Sequence, residues 1–153
     1  MDIKKRIALV TSGKQQKRLI DWVSKNAHRL HPHEIYAMGS MAKLITIKTR
    51  LRVNRLHSKP LGGYQQLVNM MANGDLDILF LLWDPAASPR EDFQVMTLLR
   101  LAAMNNVVMT CNEATADFIL NSAILEQTYL PVGVDAVGAI ELVMAESAYC
   151  DAG

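Results

Sequence analysis

The 153-residue chain has only two cysteines, Cys111 and Cys150. They form no CxxC pair and no dense framework of the kind that staples small secreted domains, so two reduced thiols are expected. Neither sign of charge is in excess. The 16 Lys and Arg against 15 Asp and Glu give a formal net charge of +1, and with basic residues in both halves there is no field to draw nucleic acid or anionic lipid. Long apolar runs are missing as well. The run in "MDIKKRIALV" is too short for a signal-peptide core and far too short to cross a bilayer, so a cytoplasmic protein with no membrane partner is expected. No internal repeat, low-complexity tract or Pro/Gly/Ser-rich linker breaks the sequence, and residues 1–153 are read as a single domain.

What is present is enough apolar side chain to build a core: half of the residues are hydrophobic. Five segments have strand length and β-branched content: Arg6 to Thr11, Glu34 to Met38, Arg52 to His57, Asp77 to Trp83 and Asn106 to Cys111. Ile78 to Leu82 is apolar without alternation, as a strand covered on both faces should be. Between these runs the period becomes helical. Leu19, Val23 and Leu30 form one stripe with Trp22 beside them, Val95, Leu98, Leu99 and Ala102 another, and Leu67, Met70 and Met71 a third that stops at Gly74. Strand followed by helix five times over predicts an α/β fold, three layers deep, around a mainly five-stranded parallel sheet.

In such a sheet a ligand sits beyond the carboxyl ends of the strands, so the residues after each strand carry the function. They read "TSGKQQK", "GSMAK", "SKPLGGY", "WDPAASPRED" and "NEATAD". Three of the five place Ser or Thr with Gly at a helix mouth, where unpaired N–H groups and the helix dipole favour phosphate or carboxylate. An anionic small molecule is the expected ligand, with Ser40, Ser58, Lys59, Gly62, Gly63 and Thr115 as its candidate phosphate-binding residues. Each glycine taken singly also fits a tight turn, and Ser40 an ordinary N-cap. There is no GxGxxG and no GxxxxGK[ST], which excludes a dinucleotide fingerprint and a P-loop.

The ordered set "IALV", "YAMG", "SKPLGGYQQL", "GDLDILFLLWDP", "LLRLA" and "NEATADFIL" resembles methylglyoxal synthase from about Arg6 to about Leu120. In that family the segments read approximately IALVAHD, YATGTTG, SGPxGGDQQ, GxIDxLIFFWDP, LLRLA and NVATADFI. The resemblance implies a three-layer α/β/α domain that assembles into a homohexamer, binds glycerone phosphate and needs no metal or other cofactor. The family's reaction removes a proton beside the carbonyl, forms an enediolate and expels phosphate, leaving methylglyoxal. That chemistry requires a carboxylate base, a donor at the enediolate oxygens and a clamp on the phosphate.

The departures bear on activity. The family's base, the aspartate of GGDQQ, is matched by Tyr64, an ordinary phenol with a pKa near 10. Its histidine is matched by Glu91 and its second following aspartate by Gln94, while Asp92 is kept. In the first loop Ser12, Gly13 and Gln16 stand where the resemblance expects His, Asp and Lys. In the second, Met38, Met41 and Ala42 replace hydroxyl-bearing or glycine positions. Tyr64, Glu91 and Asp92 are thus the candidate catalytic residues of a protein expected to bind phosphate or a small phosphorylated metabolite as a sensor or regulatory module. The alternative is a lyase that still converts glycerone phosphate to methylglyoxal with these substitutes. "SPRED" reads as a capped helix start with acids in its first turn, or as a carboxyl pair poised for acid–base work.

His28, His31 and His33 cluster in "HRLHPHE" but fall at the amino end of the sheet, away from the loops above, and no metal site is assigned; His57 is read as a strand-end polar cap. Met70, Met71, Met96, Met104 and Met109 are read as core fillers. Arg50, Arg52 and Arg55 are expected to face solvent or a subunit contact. The final "AIELVMAESAYCDAG" is read as a short helix and tail lacking the arginine that the resemblance would send to a neighbour's phosphate site.

Overall fold

The computed structural model describes residues 4–131. Five strands, β1 (Arg6–Thr11), β2 (Glu34–Met38), β3 (Val53–Leu56), β4 (Ile78–Leu82) and β5 (Val108–Thr110), alternate with helices α1 (Gln16–Leu30), α2 (Gly39–Thr49), α3 (Gly63–Ala72), α4 (Pro89–Met104) and α5 (Glu113–Leu120). The strands form one parallel sheet in the order β3-β2-β1-β4-β5. β3 and β5 are shorter than the sequence segments proposed for them. Both are edge strands, where a ladder on one side only supports fewer residues.

The alternation along the central strands builds two separate cores. Ile7 and Leu9 of β1 join Ile78, Phe80 and Leu82 of β4 against α1, α2 and α5. Ala8 and Val10 join Leu79 and Leu81 against α3 and α4. With helices on both faces the fold is a three-layer α/β/α sandwich. Trp22 of α1 meets Phe80 edge-on, ring centroids 5.3 Å apart, and donates its indole N–H to Asp117 on α5 at 2.7 Å. The methionine reading holds for Met71, which is buried, and for Met70 and Met104, which pack at the margin of the second core. Met96 and Met109 are exposed. On α4 the buried stripe runs Val95, Leu98, Leu101 and Ala102, one position out of phase with Met96; Met109 lies on the short edge strand β5.

The chain winds outward from β1 to β3 and then crosses to β4 on the other side of β1, so the winding direction reverses between β1 and β4. In open α/β sheets ligands sit near such a switch point, beyond the carboxyl ends of the strands. At the opposite end Arg6 ties β1 to β4: its backbone N–H donates to Asp77 at 2.7 Å and its guanidinium pairs with the same carboxylate at 3.2 Å. His33 is also at that end, buried and accepting the Lys5 N–H on Nδ1 at 3.0 Å; burial first, then the Lys5 charge, hold its pKa below 6.5. His28 and His31 are exposed nearby, as are Arg50, Arg52 and Arg55 elsewhere. Cys111 is a free thiol, while Cys150 and the expected C-terminal helix lie outside the described residues. Among the described residues no helix is long and apolar enough to cross a membrane.

Candidate functional site

At the carboxyl ends of β1, β2 and β3 a cleft of about 340 Å³ is lined on its polar side by Gln16, Ser40, Ser58, Lys59 and Glu91 and on its apolar side by Met38, Met41, Leu44 and Pro60. A larger apolar cavity of about 500 Å³ lies at the amino end of the sheet among Met71, Leu76, Ile78 and Leu125. Lys5, Arg6 and Asp77 also border the larger cavity, but the smaller cleft is the one that takes in first-turn residues of α1, α2 and α4, Gln16, Ser40 and Glu91. α1 and α2 begin without a side-chain cap and contribute first-turn residues to it, whereas α4 and α5 are capped by Ser88 and Asn112. An uncapped first turn leaves N–H groups for water or a ligand.

Lys59 holds the centre. It begins a 3-10 turn, Lys59–Leu61, with its ammonium donating to the Thr11 carbonyl at 2.7 Å, 3.8 Å from a Glu91 carboxylate oxygen and 5.6 Å from the centroid of the Tyr64 ring. Burial lowers its pKa and the Glu91 charge opposes that shift. The same Glu91 oxygen, Oε1, accepts the backbone N–H of Gly13 at 3.2 Å. One carboxylate therefore bridges the loop after β1 to the lysine that follows β3.

The neighbouring carboxylate points elsewhere. Asp92 accepts the indole N–H of Trp83 at 2.9 Å, so Glu91 and Asp92 diverge from adjacent positions on the helix. Ser88 caps α4 by accepting the Glu91 N–H at 3.3 Å, with Pro89 in the first turn. Both acids occupy that first turn as the capped-start reading expects, but Glu91 also reaches into the cleft.

Tyr64 does not line the cleft. Its ring packs at the margin of the second core, and its hydroxyl is buried with no hydrogen-bond partner among the described residues. Burial, aided by the Glu91 charge, pushes its pKa up to about 12. The phenol is a held proton, not a base, at any physiological pH.

The double glycine serves the tight turn that each glycine taken singly fits. The N–H groups of Leu61 and Gly63 donate to the Ser58 carbonyl at 3.0 Å each, and that of Gly62 to the Lys59 carbonyl at 3.4 Å. A tight turn has satisfied them internally. Gly62 takes a left-handed φ of 104°, and a Cβ on Gly63 would collide with the His57 carbonyl and the Met38 sulfur. His57 is also held by its own N–H, which donates to Gln66 Oε1 at 2.6 Å. Thr115 likewise lies outside the cleft: it is exposed on α5, its N–H donates to Asn112 at 2.8 Å, and its strand, β5, is separated from β1 by β4. Of the six residues proposed for phosphate, the fold gathers Ser40, Ser58 and Lys59.

Thr11 and Asp84 join Gly13 as contributors whose contacts the sequence does not specify. Gly13 brings its N–H to Glu91, Thr11 its carbonyl to Lys59, and Asp84 latches the two switch-point loops together. Asp84 accepts the Lys14 N–H at 3.0 Å and the Ala86 N–H at 2.9 Å, which lower its pKa in that order, while its own N–H donates to Ser12 Oγ at 2.8 Å. The left-handed Gly13 (φ 56°) admits no Cβ because Asp84 already fills that space. The signal for Asp84 is the WDP motif, Trp83-Asp84-Pro85, that follows the buried strand.

The geometry agrees with a match to the MGS-like domain over residues 18–111. Methylglyoxal synthase of Leptospira interrogans is 41% identical over 125 residues, 82% of this chain and 84% of that protein. The chain belongs to the methylglyoxal synthase family. Methylglyoxal synthase of Hahella chejuensis is 42% identical over 125 residues, covering 82% of this chain and 81% of its own. The crystal structure of methylglyoxal synthase from Elizabethkingia anophelis superposes with a TM-score of 0.82 at 38% identity, over 92% of this chain and 93% of that one. The cleft at the β1–β3 ends of this chain thus sits on a methylglyoxal synthase-family fold.

Proposed function

We propose that this family member binds phosphate or a small phosphorylated metabolite in the cleft without the family's acid–base turnover, acting as a sensor or regulatory module in the cytoplasm. The observation that carries the reading is the state of Tyr64: at the position where the resemblance expects a carboxylate base there is a phenol with a pKa near 12, its hydroxyl enclosed and its ring outside the cleft lining. Protonated at neutral pH, such a phenol has no free base form with which to take a proton from carbon. Lys59, the Ser40 and Ser58 hydroxyls and the uncapped start of α2 support the anion reading. The protein assembles as a homohexamer, as the family resemblance implies.

Calorimetry with inorganic phosphate tests the site. Ser58→Ala and Lys59→Ala should each weaken binding, and unchanged affinity in both would remove it. A second reading, a lyase with substitute residues, is favoured by one observation: Glu91 places a carboxylate in the cleft lining.

A further inference from the structure

Glu91 occupies the donors that an anionic ligand would need. Its Oε1 accepts the Gly13 N–H at 3.2 Å and stands 3.8 Å from the Lys59 ammonium, and the side chain borders the cleft. We infer that Glu91 is a tethered competitor for the anion site, and that a phosphate enters by displacing its carboxylate from Gly13 and Lys59. This rests on the phosphate-binding reading above and adds how the site is regulated.

The surroundings are built for displacement. Lys59 is anchored independently through the Thr11 carbonyl at 2.7 Å, so its ammonium stays in place when Glu91 leaves. The loop carrying Gly13 has an anchor besides Glu91, since Asp84 accepts the next backbone N–H, that of Lys14, at 3.0 Å. Glu91 itself is only partly covered, with its side chain 33% exposed, and rotation from the first turn of α4 carries the carboxylate to water. Asp92, fixed on Trp83, does not follow it. A tethered carboxylate acts at high local concentration. It lowers the fraction of protein able to bind, and the observed dissociation constant rises in inverse proportion to that fraction.

Phosphate titration of the parent, Glu91→Ala and Glu91→Gln separates the possibilities. Removing the carboxylate in Glu91→Ala should tighten phosphate binding about tenfold or more. Glu91→Gln keeps the shape and an acceptor for Gly13 but loses the charge, so it should tighten binding by less, and it serves if the alanine variant fails to fold. Equal or weaker binding in both folded variants, with the parent still binding phosphate through Ser58, overturns the competitor and leaves the phosphate site standing. Absence of phosphate binding in parent and variants alike overturns both.

Discussion

The Lys59 ammonium lies 5.6 Å from the centroid of the Tyr64 ring, and that ring carries a buried hydroxyl with no hydrogen-bond partner among the described residues. Lysine, phenol and Glu91 form one electrostatic group in which the phenol keeps its proton and the lysine faces a carboxylate. The Lys59 charge is met by a carboxylate, and the enclosed phenol has no means of acting as a base.

Tyr64→Phe follows from the enclosed hydroxyl. An unsatisfied buried polar group costs about 1–3 kcal/mol, so the phenylalanine variant should be more stable by about 1 kcal/mol, read as a higher urea midpoint at unchanged slope. A lower midpoint would mean that the hydroxyl has a partner in solution.

Gly63→Ala should destabilise the protein by about 2 kcal/mol or more, since its Cβ would meet the His57 backbone carbonyl and the Met38 sulfur. Gly62→Ala should cost less, and only through its left-handed φ, because nothing lies within 4 Å of its Cβ position. Denaturant unfolding of the pair checks the ordering.

His33 sets a pH dependence. Burial lowers its pKa from 6.5, so the folded state holds the proton less well than the unfolded one and its contribution to stability is complete above pH 6.5. That contribution is lost as the pH falls from 6.5 through the lower folded value. Urea midpoints at pH 7.5 and 5 should differ more for the parent than for His33→Gln; equal differences would contradict the neutral, buried His33.

Assembly is open to sedimentation. A hexamer is expected at micromolar concentration, and a stable monomer would remove the expectation.

Much of the fold was legible because its signals are local. The uniformly apolar Ile78–Leu82, the helical stripes of Leu19, Val23 and Leu30, and Ser88 followed by Pro89 each specify an element without reference to the rest. The site was legible only in part. That Ser40, Ser58 and Lys59 share a cleft follows from parallel topology, since all three come just after strands. The tight turn at Gly62 and Gly63 has a local signal, whereas the reach of Glu91 to Gly13 across 78 positions depends on packing and leaves no local trace. Thr115 lies apart from that cleft because β5 sits beyond β4, a placement that a loop motif does not carry.

Glycerone phosphate supplied to the purified protein, with methylglyoxal measured as product, tests the central claim most directly. Loss of a general base costs about a hundred- to ten-thousand-fold in rate, so the unmodified chain should show undetectable or very slow formation, Tyr64→Asp little recovery, and Tyr64→Asp with Glu91→His more. Robust turnover by the unmodified chain, abolished by Glu91→Gln or Asp92→Asn, would contradict the account.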